Sequence, residues 1–227
     1  MELADVGLTS LYILDCECLA DLAQAIDRPE FTELRERASL CKSGLEEMWD
    51  DEFGLYLNKR TDTGESSRRI SPTNFYALFS DRVSKDRVDR MIKEHFFNEK
   101  EFYGEFMIPT IARNDPAYKD QDYWRGRIWA PLNFLCYLAL RYAKRKDACE
   151  VLAEKSNNLI MKEWLEKGHV HECYNGDTGE GCDKANSDRF YHWGGLLSLI
   201  ALMEAGYLEG PEDPLEWDKP GGKIDKP

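Results

Sequence analysis

The 227-residue sequence predicts an all-α protein built from antiparallel helix pairs with long loops on one face. Three observations carry that expectation. Apolar residues recur at steps of three and four through most of the chain. Some consecutive helices are joined by only a few residues, so they pack antiparallel, whereas alternate junctions are long. No internal repeat of matching residues is visible, which disfavours a solenoid.

The elements follow in order. From about Gly7 to Ile26, an apolar stripe of Leu8, Leu11, Tyr12, Leu19, Leu22, Ala23 and Ile26 keeps helical period. Asp15 falls inside that stripe, so its carboxylate is expected to be hydrogen-bonded in the interior or to line a polar cavity. Pro29 opens a second helix, where a missing N–H costs nothing. Phe31, Leu34, Ala38, Cys41, Leu45 and Met48 give that helix its inner face. Between Asp50 and Gly64, the alternation of Phe53, Leu55 and Leu57 and the turn Asp62-Thr63-Gly64 predict a short extended loop or hairpin. Ser71-Pro72 opens a short helix through Phe79, and Ser84 caps another through about Phe96. Residues 102–118 read as loop. Helices are expected over residues 128–142 and about 147–166, the latter ended by Gly168. Residues 169–188 form a polar, glycine-bearing loop, and a last helix spans about 190–206. The count is roughly seven helices. Residues 1–208 are expected to form the folded part, and 209–227, rich in Pro, Gly and charge, a flexible tail.

Composition excludes several classes. The formal net charge is −13 at pH 7, and an acidic surface repels phosphate backbones, so no nucleic-acid partner is expected. No stretch approaches the roughly eighteen consecutive apolar residues of a membrane span. The first residues carry acids and no basic n-region, so no secretory signal is expected. Seven cysteines at irregular spacing read as reduced thiols of a cytoplasmic protein. No P-loop, GxGxxG, GxSxG, HExxH or EF-hand pattern occurs, so no cofactor is expected.

Three loops carry candidate chemistry. Asp122-Tyr123-Trp124-Arg125-Gly126-Arg127-Ile128-Trp129 packs three large rings and two guanidiniums before a helix. Aromatic faces bind the C–H faces of sugars, and Arg supplies fixed donors to hydroxyls or a carboxylate. Gly126 permits close backbone approach. The competing reading is a hydrophobic anchor that docks the loop on the core, with Arg125 or Arg127 paired to Asp122 or Asp188. The second loop, Gly168 to Asn175, holds Glu172 and Tyr174 among histidines and amides. A general base needs a carboxylate held near water by orienting neighbours. A capping carboxylate is one alternative. A metal site of His169, His171 and Cys173 is another, but a zinc site wants a fourth ligand, which Cys182 or His192 would supply only by accident of folding. No metal is therefore expected. The third loop, residues 186–195, presents Tyr191, His192 and Trp193 at a helix entrance.

In that order, YWRGRIWAPLNF (Tyr123 to Phe134), HVHECYN (His169 to Asn175) and DRFYHWGGLL (Asp188 to Leu197) resemble glycoside hydrolase family 63. The likeness is to its branch of mannosylglycerate and glucosylglycerate hydrolases and processing α-glucosidase relatives. Ser71-Pro72-Thr73-Asn74-Phe75-Tyr76, Arg113-Asn114-Asp115-Pro116 and Asp5-Val6-Gly7-Leu8 match the same pattern. The resemblance implies an (α/α)6 toroid, twelve helices in two rings, of which this chain resembles the C-terminal part. It implies inverting hydrolysis of an α-glycosidic bond, which uses two carboxyls about 6.5–9.5 Å apart. The base it implies is Glu172, and Tyr123, Trp124 and Trp129 match positions that wall the sugar subsite. Arg125, Gly126, Tyr174, His192 and Trp193 complete the expected substrate-binding set. Cys173 stands where the family usually has Asn.

The acid-bearing aromatic and Asn-rich segment of the family has no match here, so the general acid is expected outside this chain. Asp15, Asp122 and Asp188 are internal substitutes of lower rank, read as structural or orienting groups. The missing helices would leave an apolar face through which the chain is expected to self-associate. Two other functions compete: a catalytically inactive sugar-binding or structural remnant, and a trehalase-like or glucoamylase-like enzyme.

Overall fold

The computed structural model describes residues 2–208, so the tail expected at 209–227 lies outside the described residues. Six α-helices are present among them: α1 (Val6–Ala25), α2 (Glu30–Glu46), α3 (Lys85–Arg90), α4 (Ala130–Tyr142), α5 (Lys146–Lys167) and α6 (Leu196–Glu204). A 3-10 helix covers Pro72–Phe79, a π-helical stretch prolongs α3 over Met91–Phe96, and a 3-10 turn at His192–Gly195 leads into α6. Taking residues 85–96 and 192–204 as one helix each gives the seven expected, beside a three-residue turn at Tyr118–Asp120.

Local chemistry sets the helix ends. The Asp5 carboxylate caps α1 by accepting the Leu8 N–H at 2.8 Å, and its other oxygen takes Asn58 Nδ2 at 2.9 Å. Asn74 Oδ1 accepts the Ser71 N–H at 2.9 Å, and Asn74 Nδ2 reaches the Tyr56 carbonyl at 2.7 Å. That pair seats the 72–79 helix on the hairpin region expected after Asp50. The region forms two antiparallel two-residue ladders: β1 (Leu3–Ala4) pairs with β4 (Lys59–Arg60), and β2 (Trp49–Asp50) pairs with β3 (Leu55–Tyr56).

The helices lie in two layers. α1, the 72–79 helix, α4 and α6 follow one another side by side as the first. α2 packs outside α1, and α5 packs outside α4 and α6. Residues 85–96 rest on the 72–79 helix, where the Phe75 and Phe96 rings meet edge to face at 5.8 Å. The core runs between the layers, through Leu45, Tyr56, Phe75, Phe79, Met91, Phe102, Ile108, Tyr137, Leu152, Leu159 and Leu197.

One face differs from expectation. α1 buries Val6, Gly7, Ser10, Ile13, Cys16 and Ala20, while Leu8, Tyr12, Leu19, Leu22 and Ile26 of the predicted stripe stand exposed. Asp15 is exposed with them, neither interior nor in a cavity. Apart from Val6 and Ile13, the inward face is made of small residues, Gly7, Ser10, Cys16 and Ala20, where α1 packs on both α2 and the 72–79 helix. A face selected for close approach carries little hydrophobicity, so a period count finds the opposite side.

Candidate active site

Three strand-like segments from the long loops lie side by side. Ile128 and Tyr174 exchange both backbone hydrogen bonds, at 2.8 and 3.0 Å. On the other side, the Glu172 N–H donates to the Asp188 carbonyl at 2.8 Å, and the Phe190 N–H to the Val170 carbonyl at 2.8 Å. The Glu172 segment is therefore the middle of three, between the segment that leads into α4 and the one that leads into α6.

This pairing brings Glu172 to Tyr123. The Glu172 side chain is 7% exposed. One carboxylate oxygen accepts the Tyr123 hydroxyl at 3.5 Å, and the other accepts the Asp188 N–H at 3.5 Å. Both contacts are long, so the carboxylate keeps acceptor capacity for another donor, such as a water. Tyr123 adopts φ +46°, an uncommon region for a side-chain-bearing residue. Its carbonyl takes the Trp129 Nε1–H at 3.0 Å. Burial, and then the adjacent Glu172 carboxylate, push the Tyr123 phenol up, which keeps it a donor.

The aromatic wall is continuous. Trp124, half exposed, stacks on buried Trp129 with ring centroids 4.1 Å apart and planes at 20°. Tyr123 meets Trp129 edge-on at 4.8 Å, and Trp193 lies 5.7 Å beyond. Tyr191 extends the row, 4.5 Å from Trp193 and stacked on exposed His192 at 5.3 Å. Trp193 is half-buried, and its Nε1 is buried with no hydrogen-bond partner. Thus Glu172, Tyr123, Trp124, Trp129, His192 and Trp193 line one connected surface. Tyr191, at the helix entrance the sequence singles out but outside the expected substrate-binding set, thus joins the row.

Three expected binders turn elsewhere. Tyr174 is fully buried in the core, its hydroxyl accepting the His171 N–H at 3.0 Å. Gly126 has φ +99°, and a Cβ there would lie 2.3 Å from the Tyr118 carbonyl, so its close approach is to protein and not to sugar. Arg125 pairs with Asp120 at 3.0 Å and Asp122 at 2.7 Å. The exchanged backbone bonds at Ile128 and Tyr174 draw this part of both segments inward, which spacing along the chain does not reveal.

Beneath the wall, Arg127 is wholly buried. It pairs with Asp183 at 2.7 Å and donates to the Cys173 Sγ at 3.1 Å and the Gln121 carbonyl at 3.2 Å. Burial pushes the Cys173 thiol up against the opposing Arg127 charge. Cys173 therefore faces the guanidinium, and the grouping of His169, His171 and Cys173 as metal ligands does not form. Asp122 orients its loop by accepting Arg125 at 2.7 Å and Asn186 Nδ2 at 2.7 Å.

Two layers of paired helices, with loops gathered over the segment that carries Glu172, place the chain in the (α/α)6 class of fold found among glycoside hydrolases. The particular family follows. Residues 1–194 match the mannosylglycerate hydrolase MGH1-like glycoside hydrolase domain, and the chain belongs to that family. It is 23% identical over 202 residues to a mannosylglycerate hydrolase of Thermus thermophilus, covering 88% of this chain and 45% of that protein. It is 30% identical over 115 residues to the mannosyl-oligosaccharide glucosidase of Saccharomyces cerevisiae, covering 44% of this chain and 13% of that protein. The crystal structure of the Thermus thermophilus family 63 mannosylglycerate hydrolase in complex with glucose superimposes with a TM-score of 0.75 at 23% identity, over 87% of this chain and 45% of that one. The chain thus spans less than half the length of these relatives. Among the described residues no helix is long and apolar enough to cross a membrane.

Proposed function

We propose that this chain is the base-bearing part of an inverting glycoside hydrolase that acts on α-linked glucosides or mannosides, with Glu172 as general base. The observation that carries the reading is the buried Glu172 carboxylate, loosely held by Tyr123 and the Asp188 N–H beside the Trp124–Trp129 stack. A base of this kind takes a proton from water while a second carboxyl protonates the leaving oxygen. In this proposal the second carboxyl comes from outside these residues. Asp122 is engaged by Arg125 and Asn186, and Asp15 stands exposed on α1. The names of the related mannosylglycerate hydrolases and mannosyl-oligosaccharide glucosidase support a carbohydrate substrate.

The exposed stripe of α1 has a role in the same proposal. It is the face covered by the remainder of the toroid, or, for this chain alone, by a second copy. Seven free thiols suit a cytoplasmic setting.

The test is Glu172→Gln in the complete enzyme, assayed on glucosylglycerate, mannosylglycerate, trehalose and an α-linked glucobiose. The reading expects kcat to fall by at least roughly a hundredfold, with sugar binding retained. Unchanged turnover removes Glu172 from the chemistry. Unchanged binding with no turnover in the unsubstituted enzyme favours a sugar-binding remnant.

A further inference from the structure

Behind the Glu172 segment lies a second cluster that the glycosidase reading does not use. Glu163 of α5 is completely buried. Its carboxylate takes Lys162 at 3.2 Å, Lys167 at 3.3 Å and the Gly181 N–H at 3.2 Å. It also lies 3.1 Å from His171 Nδ1. The approach lacks hydrogen-bond geometry, so His171 Nδ1 is itself a buried atom without a hydrogen-bond partner. Nε2 faces the Cys182 sulfur at 2.7 Å. Gly181 makes the approach possible, since a Cβ there would meet the His171 ring at 2.3 Å. His169 completes the group. Its ring lies 4.4 Å from that of His171, it is only 8% exposed, and its Nδ1 is buried without a hydrogen-bond partner. One ring nitrogen of each histidine and the Cys182 sulfur all lie within 4.8 Å of one another.

We propose that His169, His171 and Cys182 bind a zinc ion, with water in the fourth position, and that the ion ties the 180–183 loop to the segment carrying Glu172. The donor set is two imidazoles and a thiol, the chemistry that suits a borderline-soft ion rather than magnesium or calcium. In the zinc-bound form a small rotation of the His171 ring brings Nδ1–H onto Glu163, 3.1 Å behind it, as the orienting carboxylate. Binding converts the Cys182 thiol to a thiolate and releases its proton to solvent. Zinc bonds of about 2.0 and 2.3 Å at a tetrahedral angle separate nitrogen and sulfur by roughly 3.5 Å. The partly exposed Cys182 loop has only to open by less than 1 Å or so to reach that spacing. The orphaned His169 nitrogen gains the partner it lacks among the described residues.

The proposal does not depend on the glycosidase reading, and its test is independent of activity. The full chain is stripped with a chelator and titrated with Co2+, then with Zn2+. Expected are one equivalent of cobalt, the intense visible bands of a tetrahedral site, and a thiolate-to-cobalt charge-transfer band that zinc displaces. Cys182→Ser is expected to remove the charge-transfer band and to weaken zinc binding by more than tenfold or so. Cys18→Ser, on α1, is expected to change neither. Native mass spectrometry of the unsubstituted chain is the second measurement, with one zinc expected, lost together with thermal stability on chelation. Absence of bound zinc at micromolar concentrations overturns the proposal. So does a charge-transfer band that survives Cys182→Ser, which would locate the metal at another of the seven thiols.

Discussion

Tyr123 and Glu172, 49 positions apart in sequence, meet hydroxyl to carboxylate at 3.5 Å. The contact joins the aromatic loop before α4 to the middle strand-like segment, and it is one of two hydrogen bonds at the Glu172 carboxylate among the described residues. Tyr123→Phe in the complete enzyme is expected to lower kcat by roughly tenfold, with little change in folding stability. Steady-state kinetics beside a thermal melt reads both. A large fall in melting temperature with unchanged kcat would make Tyr123 a structural residue.

Arg127 and Arg125 sit two positions apart and should behave oppositely. Removing buried Arg127 as Arg127→Met leaves Cys173 and the Gln121 carbonyl without their donor, while exposed Asp183 keeps Asn175 Nδ2 as a partner. The expected cost is about 2–3 kcal/mol, mainly from the buried acceptors left unsatisfied. Arg125→Ala breaks only exposed pairs and is expected to cost less than about 1 kcal/mol. Urea denaturation of the two variants checks the contrast.

Gly126→Ala is expected to destabilise by about 2–3 kcal/mol or more. It combines a positive φ with a Cβ driven into the Tyr118 carbonyl. If the glycine served sugar approach, the substitution would raise KM at unchanged stability.

Asp115 gives a pH-dependent outcome. The Arg69 guanidinium, bonded at 2.8 and 2.9 Å, holds the Asp115 carboxyl below the ordinary range, helped by the Ala117 N–H. A depressed folded value means that the contribution is complete above the unfolded value, about 4. It fades as pH falls through the folded one. Asp115→Asn is expected to cost about 1 kcal/mol at pH 7, a modest figure because Arg69 stands in solvent. The difference from the unsubstituted chain should close as pH falls below about 4. Denaturation midpoints measured across that range decide it.

The exposed stripe of α1 bears on association. Leu22→Glu with Ile26→Glu places charge on a face that is apolar and accessible. Sedimentation is expected to show the unsubstituted chain associating and the doubly substituted chain monomeric, with helix content unchanged. Identical behaviour would mean that the stripe is not the contact.

The helix spans were legible in sequence because their determinants are local. The Ser84 cap, the Ser71-Pro72 start and the three-and-four periodicity of α2 act within a turn or two of where they stand. The three candidate loops were legible too, since their aromatics, glycines and lone carboxylate lie in contiguous runs. Which side chains in those runs face outward was decided by contacts between distant segments. The Ile128–Tyr174 pairing buries Tyr174, and the Arg127–Asp183 pair buries Arg127. The same packing brings Glu172 under the Tyr123 hydroxyl and Cys182, rather than Cys173, to the histidines. The direction of α1 belongs to that second group. A helix reveals its period in sequence, but which face turns inward depends on how near its neighbours come, and close neighbours select small residues over large apolar ones.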